Sequence, residues 1–199
     1  MTPNNFPSQT IGWIAIAVGA LTFIGLVFLV LLFTVGQPFG TLNDAFIAIA
    51  AILGGVLAWM LYPVHHTQSP SLSLLALVAA FLGALVVTVG AAIVISGVKG
   101  WYLAGLYMMT GNGLIGLWLL ALNYSSRHSF AWPHGLVLLG LVAGAVMVVG
   151  FLTIPGILNG IDAWDSAPWI VNIGQAGALG WMVLYPIWCV RLGRILLRT

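Results

Sequence analysis

Six long stretches without a single charge decide what this chain can fold into. They run approximately over Ile11–Val35, Ala45–Val64, Leu72–Ser96, Trp101–Leu122, Gly135–Ile154 and Trp169–Val190. About 20 apolar residues carry a helix across the hydrocarbon of a bilayer, whereas a barrel strand needs roughly 9–11. Each stretch therefore reads as a membrane-spanning helix. The breaks between them, such as Gly36-Gln-Pro-Phe-Gly40 and Gly97-Val-Lys-Gly100, are short and rich in turn residues. Connections of this length make neighbouring helices antiparallel. The expected fold class is an all-α integral membrane protein of six transmembrane helices, forming one transmembrane domain over residues 1–199.

Composition agrees. The chain is 62% hydrophobic and 4% charged, where soluble domains carry roughly 25% charged residues. The net charge of +2 is scattered between the apolar runs and makes no nucleic-acid surface. Cys189 is the only cysteine, so no intrachain disulfide forms. The first apolar run is longer than a signal-peptide core and lacks a basic start, so it is taken as a retained span.

The few charges set the topology. Six spans put both termini on one side, which carries Arg127, Arg191, Arg194 and Arg198 against Lys99 opposite. The positive-inside rule then places both termini in the cytoplasm. Asp44, Asp162 and Asp165, the only acids, fall outside, and His65, His66, His128 and His134 fall inside. The expected location is multi-pass in a plasma membrane of bacterial type. Tryptophans cluster toward both ends of the spans, as interfacial anchors do.

An internal echo divides the chain into three hairpins, approximately 11–64, 72–122 and 135–190. Two small residues three apart precede a tryptophan in each second helix: Gly55 and Ala58 before Trp59, Gly113 and Gly116 before Trp118, Gly177 and Gly180 before Trp181. The first and third hairpins also share a Leu-Asn pair and a Tyr-Pro pair. Each hairpin enters and leaves on one side, so the repeats are parallel.

Small residues recur as seams: Gly55 and Ala58, Gly113 and Gly116, Gly140 and Gly144, Gly177 and Gly180. Lipid tails give helices no hydrophobic reason to associate, and close backbone contact at small residues supplies van der Waals energy instead. The even-numbered helices are thus expected to face inward. The functional alternative is that small residues leave room for a ligand.

Polar groups at membrane depth are amides: Asn112, Asn172 and Gln175. They form interhelical hydrogen bonds or line a polar pocket. No ionisable residue lies at a span centre, which argues against a proton- or ion-coupled carrier. Near the acidic loops, Thr41-Leu-Asn-Asp44 fits a capping box, and Asp165 is placed to cap the sixth helix. Asp162 has no obvious structural role. A sharper alternative is an outer cluster of Asn43, Asp44, Asn159 and Asp162 that binds a cation or polar head group.

The histidines match no metal-ligand spacing, no catalytic set appears, and no cofactor is indicated. The sequence therefore points to a non-catalytic membrane module. It would bind a hydrophobic or lipid-like ligand between helices, or pack as a subunit of a homo- or hetero-oligomer among membrane lipids. A small transporter or channel past Asn112, Asn172 and Gln175 is the second reading. An enzyme using Asp44 or Asp162 is the third.

Overall fold

The computed structural model describes residues 8–66, 69–127 and 132–198. His128 lies outside the described residues, with parts of the second and fourth connections, and so does the side chain of His65. Among the described residues all regular structure is helical, without strands. Six helices are long and apolar enough to cross a membrane.

The first four are continuous α-helices: Ser8–Thr34, Phe39–His66, Pro70–Ile95 and Trp101–Ser126. The last two spans are not. The fifth, His134–Leu158, tightens into a 3-10 segment over Val149–Thr153. The sixth, Trp169–Leu196, breaks after Gly174 and widens into a π segment over Gly180–Leu184. Each irregular segment comes just before a proline, Pro155 and Pro186. A proline inside a helix cannot donate to the carbonyl four residues back and crowds it. Those carbonyls belong to Phe151 and Met182, inside the 3-10 and π segments. Local rewinding of this kind is how a helix accommodates the missing bond.

The helices form a closed ring in chain order, each packed on its neighbours in sequence. The sixth returns to the first. A Cβ on Gly193 would sit 2.5 Å from the Gly12 carbonyl oxygen, so only glycine permits this approach. The even-numbered helices sit inward. In the apolar stretch of the fourth, 61% of residues are buried, against 22% in that of the first. Across the middle, Trp181 Nε1 donates to Met109 Sδ at 3.4 Å, joining the sixth and fourth helices. Outward faces carry exposed apolar side chains such as Leu75, Leu85 and Leu138, as a lipid-facing surface should.

Three tryptophans depart from the anchoring expected of them. Trp118, Trp181 and Trp188 are buried. Trp188 packs edge-on to Trp118 at 6.1 Å and against Trp132 at 6.2 Å. Its Nε1 donates to Asn123 Oδ1 at 3.3 Å. An indole brings a large apolar area and one N–H, and it can be buried where that N–H finds an acceptor. Trp13, Trp59, Trp101, Trp164 and Trp169 are exposed. The echoed trio is thus not equivalent in environment, since Trp59 is exposed where Trp118 and Trp181 are buried.

Candidate functional site: a cavity at the acidic end

At the end of the bundle that bears Asp44, Asp162 and Asp165, the helices part around a cavity of about 340 Å³. Its walls come from the first, second, third, fourth and sixth helices and from Trp164 in the connection before the sixth. Phe33, Trp101 and Trp164, all exposed, stand at the mouth, while Met108 and Trp181, both buried, lie at the floor. Trp101 and Met109 both line it, and eight residues of helix span roughly 12 Å of depth. An aromatic chain follows the wall. Phe33 packs edge-on to Trp101 at 6.4 Å, Trp101 to Tyr102 at 5.8 Å, and Tyr102 to Trp164 at 6.0 Å. Gly105 opens the fourth-helix wall, because a Cβ there would meet nothing within 4 Å.

Three side chains with amide or carboxylate groups line this apolar space: Asn43, Asp44 and Gln175. Asn43 Nδ2 donates to Asp44 Oδ1 at 3.0 Å. Asn43 is buried, and its Oδ1 has no hydrogen-bond partner. A buried acceptor left unsatisfied costs about 1–3 kcal/mol. Gln175 lies where the sixth helix is broken, beside bonds of the tighter kind such as Ala176 N–H to the Ile173 carbonyl at 2.9 Å.

The other amides take separate places. Tyr102 Oη donates to Asn172 Oδ1 at 3.2 Å, tying the fourth helix to the sixth. Asn112 turns back on its own helix and donates to the Met108 carbonyl at 2.9 Å. It borders a different space of about 10 Å³ with Thr22, Trp181 and Tyr185, barely the room one water needs. The described structure therefore does not put Asn112, Asn172 and Gln175 along one cavity.

The acids also differ from expectation. The second helix starts at Phe39, ahead of Thr41, so no capping box forms at Thr41 and Asp44. Gln37 Oε1 instead accepts from the Thr41 N–H at 3.5 Å. Asp165 sits in a short 3-10 turn, Trp164–Ser166, and the sixth helix starts after Pro168 without a side-chain cap. Asp162 is the cap, for another helix. Its Oδ2 accepts from Gly100 N–H at 2.7 Å and its Oδ1 from Leu103 N–H at 3.1 Å. Asn159 is exposed and donates to the Pro155 carbonyl at 2.7 Å. Of these four polar residues, Asn43 and Asp44 share the cavity, while Asn159 and Asp162 bond backbone groups at helix ends.

The small residues lie at helix contacts. A Cβ on Gly116 would come 2.6 Å from Met147 Cβ, and one on Gly144 would come 2.8 Å from the Gly116 carbonyl oxygen. Gly140 lies against the Asn123 side chain, and Gly113 against Phe151. Gly177 meets Gly150, and Gly180 meets the Met147 backbone. Gly55 has ordinary contacts with Phe81 and Ala84 of the third helix, and Ala58 is buried. Several tight seams escaped sequence reading, Gly12–Gly193 and Gly83–Gly111 among them. Gly83 and Gly111 face each other so closely that a Cβ on Gly83 would lie 2.6 Å from the Gly111 carbonyl oxygen. The signal of this second seam was present as Gly83 and Gly90, seven residues apart on one face of the third helix. Also missed were the aromatic and methionine walls of the cavity, which come from four separate elements and form no pattern along the chain.

Tyr62 Oη lies 2.8 Å from His66 Nδ1. Among the described residues no group of three metal-binding side chains forms. No protein-family model, no curated protein and no solved structure matches this chain.

Proposed function

We propose that this chain is a non-catalytic multi-pass membrane protein that holds a hydrophobic or lipid-like molecule between its helices. The observation that carries this reading is the cavity of about 340 Å³ between five helices, mainly apolar and with only three amide or carboxylate side chains in its walls. Ligand pockets typically span 300–1,000 Å³, with mainly apolar walls and a few polar groups that fix orientation. Methionine supports it further, since Met108, Met109 and Met182 line the space and thioether side chains adapt to irregular shapes. Exposed apolar faces leave the surrounding lipids, or another membrane chain, as the natural neighbours.

The same reading sets both termini in the cytoplasm of a plasma membrane. The excess of arginine at the terminal end supports that orientation, because Arg191, Arg194 and Arg198 are all exposed there. The three-hairpin repeat belongs to the proposal as ancestry, supported by the shared small-residue seams rather than by the tryptophans. A transport path past Asn112 is less favoured, because Asn112 borders only the separate small space.

Extraction in native nanodiscs, followed by native mass spectrometry and cryo-EM, tests the reading. The expected result is a retained molecule with density between Gly105 and Met182, lost in Gly105→Trp while the fold persists. An empty cavity in wild type, with identical bound species in the variant, overturns it.

A further inference from the structure

The cavity's polar groups are selective in sign. Asp44 is its only ionisable carboxylate, and no lysine, arginine or histidine lines it. Among the described residues Asp44 accepts one hydrogen bond, from Asn43, and forms no ion pair. The neighbouring Asn43 Oδ1 is a second acceptor, buried and unpartnered, on a side chain only 7% exposed. The walls add Trp101, Tyr102, Trp164 and Trp181. Aromatic faces attract cations, more strongly when water is excluded. An anionic ligand would meet a like charge here. A purely apolar one would leave the carboxylate with Asn43 as its one donor and the buried amide oxygen with none.

Resting on the ligand-binding reading above, we infer that the ligand class is a lipophilic ammonium. Its N–H donors lie at Asp44, and its apolar body lies along Trp181, Met108 and Met182. The ammonium donates to the Asp44 carboxylate, which lines the cavity. Gln175 sets the lateral position of the head from the sixth helix. Apolar carbon then fills the floor.

The test compares 4-phenylbutylammonium with its neutral isostere pentylbenzene, in which a methyl group replaces the ammonium. Binding is read by tryptophan fluorescence of the full chain in nanodiscs, with empty nanodiscs correcting for partition into lipid. Wild type binds the ammonium tighter by roughly tenfold or more, and Asp44→Asn removes that preference while pentylbenzene affinity is kept. Equal affinity for the two probes, or a preference that survives in Asp44→Asn, overturns the ligand class and leaves the cavity reading standing. Failure of wild type to bind either probe overturns both. Should Asp44→Asn not fold, the wild-type ratio and Asp44→Glu decide, since the glutamate keeps the charge and must keep the preference.

Discussion

Asp162 caps a helix whose N-cap residue, Gly100, lies 62 residues earlier: its Oδ2 accepts the Gly100 N–H at 2.7 Å, and its Oδ1 accepts the Leu103 N–H at 3.1 Å. The first N–H groups of a helix have no partner within it, and a carboxylate there also meets the positive end of the helix dipole. This contact fastens the connection before the sixth helix to the start of the fourth. It thereby holds Trp164 at the mouth of the cavity beside Tyr102. Asp162→Ala should lower stability by about 1–2 kcal/mol. Asp165→Ala, at an exposed side chain that caps nothing, should stay within about 0.5 kcal/mol of wild type. Denaturant unfolding in mixed micelles, followed by circular dichroism, compares the two. Equal losses would remove the capping role.

Glycines that look alike in sequence should respond in opposite directions. At Gly116 and Gly144 an added methyl meets Met147 and the Gly116 carbonyl oxygen, so the fourth and fifth helices must separate. Overpacking of this kind costs about 1–3 kcal/mol. At Gly105 the methyl enters open space, and alanine gains about 0.8–1.0 kcal/mol of helix propensity. Melting temperatures should therefore fall for Gly116→Ala and Gly144→Ala, and hold or rise for Gly105→Ala.

The Trp188–Asn123 hydrogen bond is fully buried, with both side chains at 0% exposure. Interhelical hydrogen bonds in membranes are worth about 0.6 kcal/mol on average and up to roughly 1.7. A double-mutant cycle with Trp188→Phe and Asn123→Ala should return a coupling in that range. A coupling near zero would make the contact incidental to indole packing.

Orientation can be read with cysteine labels, because Cys189 is buried and free and should stay silent to a membrane-impermeant maleimide. In intact cells Lys99→Cys should label at once. Arg198→Cys should label only after the membrane is opened. The reverse pattern would invert the topology derived from arginine placement.

Some of these features were legible along the chain because they depend on local composition alone. Uncharged runs long enough to span hydrocarbon gave six helices, and the seams at Gly116, Gly144 and Gly180 followed from small residues at helical spacing. Trp188 was misjudged as an anchor for a physical reason. An indole near a helix end is equally suited to the interface or to the core, and the choice turns on whether Asn123 comes within reach of its N–H. Asp162 likewise had no local partner, since its donors lie at Gly100 and Leu103.

Sequence by itself determined that this chain is a bundle of six apolar helices, because periodic contacts and the cost of exposing backbone to lipid act within a single helix. Only the tertiary structure decided that Asn43 and Asp44 share a cavity with Trp101, Trp164 and Trp181, while Asn112 faces elsewhere. That outcome rests on which helix faces meet when the ring closes, a relation among distant segments that no local pattern encodes.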